Sequence, residues 1–176
     1  GLLGDGQEQR LTVQGAADTT WADVQRVDRP TINVLTPGRV AEFEIRLWAS
    51  DPYRYGDMNE FAGANVQAFH RGSTPAIPEI TVTGPVSAPY NITSQGKTIT
   101  VTQALTSGQT HKIDLGSGWI YRNDVLQPSA TGVLNVFRIP PGLPSTITGP
   151  ASMKVRVKDT YLESLQIERG DERPLI

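Results

Sequence analysis

EITVTGP (residues 79–85) and KVRVKDTY (residues 154–161) bracket the block on which the fold turns. In the first, Ile80 and Val82 alternate with Thr81 and Thr83. In the second, Val155 and Val157 alternate with Lys154, Arg156 and Lys158. The same period recurs between them. Ile99 and Val101 sit among Thr98, Thr100 and Thr102, Ile113 and Leu115 flank Asp114, and Val133, Asn135 and Phe137 alternate with Leu134, Val136 and Arg138. Side chains of a strand point alternately to opposite faces, so such runs predict half-buried antiparallel strands. Each run ends at glycine, proline or a Ser/Thr/Asn/Asp cluster, which is turn chemistry. Many short strands at this spacing read as a sandwich or barrel, and the fold expected is all-β, an antiparallel β-sandwich of two packed sheets with about ten or more strands and no long helix.

Working outward, RVAEFEIRLWA (residues 39–49) is the strongest strand pattern of the first third. It places Ala41, Phe43, Ile45, Leu47 and Ala49 on one face, predicted to be core. Trp48 falls on the polar face, where it would cover an edge or meet a partner; burial under the loop that follows is the expectation. WADVQRV (residues 21–27) has no clean apolar face and reads as an edge strand or as one packed partly on a neighbour. DPYRYG (residues 51–56) breaks the strand, and residues 57–71 read as irregular chain or a short helical turn anchored by Phe61, Val66 and Phe69. SQGK (residues 94–97) and the segment 122–124 read as tight turns. Residues 1–9 form a short glycine-rich N-terminal extension, 10–167 the sandwich and 168–176 a charged tail. The predicted core comprises Phe43, Ile45, Leu47, Val82, Ile99, Val101, Ile113, Leu115, Phe137, Val155 and Val157.

The 176 residues suffice for one sizeable core. A net charge of −2 supplies no long-range attraction to nucleic acid or to an anionic membrane, and neither is expected as a partner. The opening GLLGD is too short and too soon acidic for a secretion signal. With no cysteine, disulfides, thiolate metal sites and cysteine nucleophiles are excluded. His70 and His111 are the only histidines and lack companion ligands in sequence, so no metal or other cofactor is expected. Neither a Gly-x-Ser-x-Gly elbow nor a phosphate loop ending in Lys-Ser/Thr occurs. Asp23, Glu44 and Asp114 are weighed as a glycosidase pair against their ordinary role of solvating outer faces. The expectation is no catalytic residue and no enzyme activity.

WIYRND (residues 119–124) is the most ligand-like stretch. An exposed Trp119 would stack on the apolar face of a sugar while Arg122, Asn123 and Asp124 bind its hydroxyls. The competing reading has Trp119 and Tyr121 filling the sandwich. No heptad and no large apolar outer face is legible, so the isolated chain is expected to be monomeric or weakly associated.

Four groups of residues resemble the C-terminal domain of siphophage distal tail proteins, also called siphovirus tail components or minor tail proteins. They are PEITVTGP (78–85); the series GKTITV (96–101), LTSGQTHKIDL (105–115) and YRND (121–124); FRIPPG (137–142) with VRVKDTYL (155–162); and upstream FEIRLWASDPYRY (43–55). The resemblance covers roughly residues 10–165. It implies a galectin-like sandwich attached to a domain that forms a hexameric ring, most of which this chain lacks. It implies a structural virion protein of the tail tip or baseplate, synthesised in the host cytoplasm. Its partners would be other tail-tip or baseplate proteins, in six copies through the ring domain not present here. A carbohydrate-binding module that binds host cell-wall glycan is the second reading, and a polysaccharide hydrolase the third.

Overall fold

Two tight turns set the register of the sandwich. Gln95 and Gly96 carry φ of 53° and 74°, and Asn123 and Asp124 carry 49° and 65°. Successive left-handed residues make the two-residue turn whose twist matches that of paired strands. Both turns fall where SQGK and the 122–124 segment predict them.

The computed structural model describes residues 7–15 and 19–162. Within them the strands are, in chain order, β1 (Gln9–Gln14), β2 (Thr19–Arg26), β3 (Thr31–Thr36), β4 (Val40–Glu44), β5 (Leu47–Trp48), β6 (Arg54–Ala62), β7 (Asn65–Ala68) and β8 (Glu79–Thr83). They continue with β9 (Tyr90–Ser94), β10 (Lys97–Val101), β11 (Thr110–Asp114), β12 (Trp119–Arg122), β13 (Val125–Leu126), β14 (Thr131–Leu134), β15 (Ser145–Thr148) and β16 (Met153–Tyr161). There is no helix among the described residues. Leu165, Ile167 and the tail 168–176 lie outside them.

A nine-stranded sheet runs β1-β2-β6-β16-β8-β11-β12-β13, with β5 also paired to β2. A five-stranded sheet runs β14-β10-β9-β15-β7. All pairs are antiparallel. The chain is therefore an antiparallel β-sandwich, as its alternation predicts.

One row of the large sheet shows why. Ile120, Ile113, Ile80, Val155 and Phe61 are cross-strand neighbours on five adjacent strands. They meet Ile92, Ile99, Val101 and Ile147 of the small sheet in a single core cluster. Full burial of each such side chain is worth about 1.5–3 kcal/mol. Of the predicted core, Val82, Ile99, Val101, Ile113, Leu115, Phe137, Val155 and Val157 are all buried. Gly72 closes one side: a Cβ there would lie 2.0 Å from the Thr160 carbonyl oxygen, so only glycine permits the approach.

The first third departs from expectation. Phe43 is 74% exposed, and Ile45 and Leu47 are also exposed. RVAEFEIRLWA is not one strand but β4 and β5. β4 pairs only with β3, in a two-stranded ribbon whose residues are all exposed. Trp48 is exposed rather than covered. Of the two readings of WADVQRV the packed one fits and the edge strand does not: β2 has β1 on one side and β6 and β5 on the other. Residues 57–71 are not irregular throughout, since β6 and β7 occupy most of them. The predicted run 133–139 ends at Leu134, beyond which only the Ala76–Ile139 bridge pairs.

The β6 pattern was hidden by polar residues that face inward. Asn59 donates to Asp159 at 2.9 Å, and the same carboxylate oxygen accepts the Arg71 amide at 2.8 Å. These partners satisfy a polar group that burial would otherwise penalise.

Candidate functional site

The alternation of β12 decides the fate of the four predicted glycan residues. Trp119 points outward and is 45% exposed, while Ile120 is buried. The reading in which Trp119 fills the sandwich is therefore overturned. Arg122, three residues on, shares the inner face with its cross-strand neighbour, the buried His111. Asn123 is committed to the turn. Its side-chain oxygen accepts the Thr110 amide at 2.9 Å, and its own amide donates to the Thr110 carbonyl at 3.1 Å. Asp124 is the second turn residue. At about 3.3 Å per residue, roughly 15 Å of chain separate it from Trp119. The fold does not gather these four into one site.

Trp119 instead heads an outer row: Trp119, Asp114, Glu79, Arg156 and Glu60 are successive cross-strand neighbours on β12, β11, β8, β16 and β6. Ion pairs lace this face. Lys112 reaches Glu79 at 3.1 Å, and Glu60 takes both Lys154 at 3.1 Å and Arg156 at 2.8 Å. The hydrogen bonds from Arg156 and then Lys154 hold the Glu60 carboxyl below its ordinary range. Burial pushes the Asp114 carboxyl up. Bonds from the Ser117 hydroxyl and the Gly116 and Ser117 amides outweigh that and leave it lowered. This row and its neighbours were not legible as a group, because they come from five strands scattered over the chain.

A cleft of about 260 Å³ opens on this face, between residues 75–78 and the strands beneath. Tyr53, Tyr55, Arg138, Arg156 and Lys158 line it, with Glu79 and Asp114 at its floor. Lys158 sits 5.1 Å from the Tyr55 ring centre and 5.3 Å from that of Trp21. Tyr55 donates to Asp51 at 2.5 Å. Burial, then that bond and the Asp51 charge, push the Tyr55 hydroxyl up.

A second surface lies at the other end of the molecule's sequence, on the β3–β4 ribbon. Its register pairs Ile32 with Phe43 and Val34 with Ala41, so these four share one face. Thr31, Asn33, Glu42 and Glu44 share the other. The apolar face is bare, with Ile32 at 68% and Val34 at 59% exposure beside Phe43. It corrects the expectation of no large apolar outer face. Between Gln7 and Tyr53, the sole buried apolar side chain among the described residues is Val24. This wing has almost no core of its own.

No group of three or more metal-ligating side chains exists among the described residues. His70 Nε2 contacts the Ile139 carbonyl at 3.0 Å and its Nδ1 accepts the Gly72 amide at 3.1 Å, so the ring is a tie between loops. Asp23, Glu44 and Asp114 lie on β2, β4 and β11, with three strands between β2 and β11, and form no pair.

His111 is buried in the sandwich with Nδ1 2.7 Å from the Tyr90 hydroxyl and no hydrogen-bond partner at Nε2. Burial, then the Arg122 charge, lower its pKa below the ordinary 6.5. A lowered folded pKa means that protonation favours the unfolded chain. The stability that neutral His111 contributes is full above the unfolded value and declines as pH falls through 6.5 toward the folded one. Melting is expected to weaken across that window by up to about 1.4 kcal/mol per pH unit, and the double variant Tyr90→Phe/His111→Phe is expected to flatten the slope. An unchanged slope would assign the acid sensitivity elsewhere.

No protein-family model matches the chain, and no curated protein matches it. Among solved structures the fold is similar to Dit (gp 19.1) of phage SPP1, described as a paradigm of the hub adsorption apparatus in phages that infect Gram-positive bacteria. The TM-score is 0.66 at 10% identity, over 85% of this chain and 67% of that one. At that identity the likeness speaks to the fold.

Proposed function

We propose that this chain is a structural component of a long-tailed phage tail tip, a β-sandwich of the distal-tail type that works by docking to other tail-tip or baseplate proteins. The carrying observation is the bare apolar face of the β3–β4 ribbon. A two-stranded ribbon is marginal in water by itself. Covering Ile32, Val34 and Phe43 would contribute on the order of 5 kcal/mol. Apolar surface of this kind, on a ribbon whose opposite face carries Glu42 and Glu44, is characteristic of a protein-binding patch. The fold shared with SPP1 Dit and the motif order of residues 10–165 support the same placement. In this reading the galectin-like sandwich is carried in six copies by a ring-forming segment and does no catalysis. A density map of the intact particle tests it. The sandwich is expected at the tail tip, with another protein chain against Phe43. A ribbon in open solvent, or the chain's absence from the tail, would overturn the reading.

A second reading, binding of host cell-wall glycan, is favoured by the exposure of Trp119 on the polar outer face. Glycan binding that survives Trp119→Ala would remove Trp119 from it.

A further inference from the structure

We propose that the cleft between residues 75–78 and the outer face of the nine-stranded sheet is a groove for an anionic saccharide chain, centred on Arg138. The proposal does not depend on what covers the ribbon. Two cavities, of about 260 and 440 Å³, adjoin here and share Pro75 and Arg138 in their walls. Tyr53 and Tyr55 line the first and Lys97 the second, so Arg138 stands where the two meet.

The cations along it are unequally engaged. Arg156 is bound to Glu60, and Lys97 donates to the Val136 carbonyl at 2.8 Å. Lys158 rests over two aromatic rings, without a carboxylate partner among the described residues. The exposed Arg138 guanidinium has no hydrogen bond or ion pair among the described residues. Its planar fork matches a carboxylate or phosphate group in two parallel bonds.

The remaining lining selects among anionic polymers. Glu79, ion-paired to Lys112, and Asp114, bonded to Gly116 and Ser117, place two carboxylates in the lining, with one Glu79 oxygen left outside that ion pair. These suit sugar hydroxyls and would repel a strand of closely spaced phosphates such as a nucleic acid. The rings of Tyr53 and Tyr55 and the prolines opposite supply flat apolar faces of the kind that pyranose rings pack on. An acidic peptide lying as an added strand would need a free sheet edge. The strands β16 and β8, which carry Arg156, Lys158 and Glu79, are each paired on both sides, and β6 is paired to β2 at Tyr55, so none offers an edge there.

The test is an amide-shift titration of the full chain with tetragalacturonate, its fully methyl-esterified form and tetraglutamate. Tetragalacturonate is expected to shift Tyr53, Tyr55, Arg138 and Thr160 with half-saturation at or below about 10 mM, weakening as salt is raised. Arg138→Ala, at an exposed position without partners, is expected to weaken binding about ten-fold or more and to leave melting unchanged. Trp119→Ala is expected to bind as the wild type does. No shift up to that concentration, equal response to the ester or to tetraglutamate, or loss in Trp119→Ala with Arg138→Ala unaffected would each overturn the proposal.

Discussion

Phe137→Ala is expected to lower the free energy of unfolding by about 3–5 kcal/mol, the loss typical of a large aromatic truncated where its neighbours cannot close in. Phe137 is fully buried yet lies in no strand. It is pinned from both sides. The Asn135 amide donates to Thr98 at 3.1 Å, and Ile139 exchanges two backbone bonds with Ala76, at 2.8 and 2.9 Å. Those anchors keep the backbone from following the shortened side chain, so most of the cavity persists. Phe43→Ala, by contrast, is expected to cost under about 0.5 kcal/mol, the ordinary scale for a surface position. Urea denaturation of both variants decides it. Equal losses would mean that Phe43 is covered in the free chain, and a Phe137 loss below about 1 kcal/mol would place that ring outside the core.

The comparison also shows what the sequence could reveal. Phe43, Ile45 and Leu47 alternate as cleanly as Ile80 and Val82 or Val155 and Val157. Period two establishes that a strand has an apolar face. It does not say whether a second sheet lies across that face. For β8 and β16 the five-stranded sheet does; for β4 no sheet among the described residues does. The paired turns at 95–96 and 123–124 were legible because left-handed residues have a narrow chemistry. β6 was not, because its inward Asn59 depends on Asp159, and the two partners lie a hundred positions apart in the chain.

The same limit governs the sites. The exposure of Trp119 could be weighed from WIYRND, but the strand's alternation turns Arg122 away and the turn consumes Asn123. Contiguous polar residues on a strand divide between two faces, so nearness in sequence was misleading there. The Arg138 groove draws its walls from residues 53–55, 75–78, 138 and 156–160. Only cross-strand register and the Ala76–Ile139 bridge bring these together, and neither is visible in local patterning.

The docking reading makes the other large claim, and Phe43→Asp is its sharpest probe. In the free chain the substitution is expected to be nearly silent, because the carboxylate replaces a ring that already faces solvent. Against a partner it would bury an unpaired charge where Ile32 and Val34 should be covered, at a cost of several kcal/mol. The decisive measurement is incorporation of the variant into tails, in a phage whose own copy is deleted and supplied in trans, with the melting temperature of the purified chain as control. The predicted result is unchanged melting with incorporation reduced by about a hundred-fold or more, the scale of that charge penalty. Wild-type incorporation of a normally folded Phe43→Asp chain would contradict the claim that the ribbon docks to another tail-tip or baseplate protein.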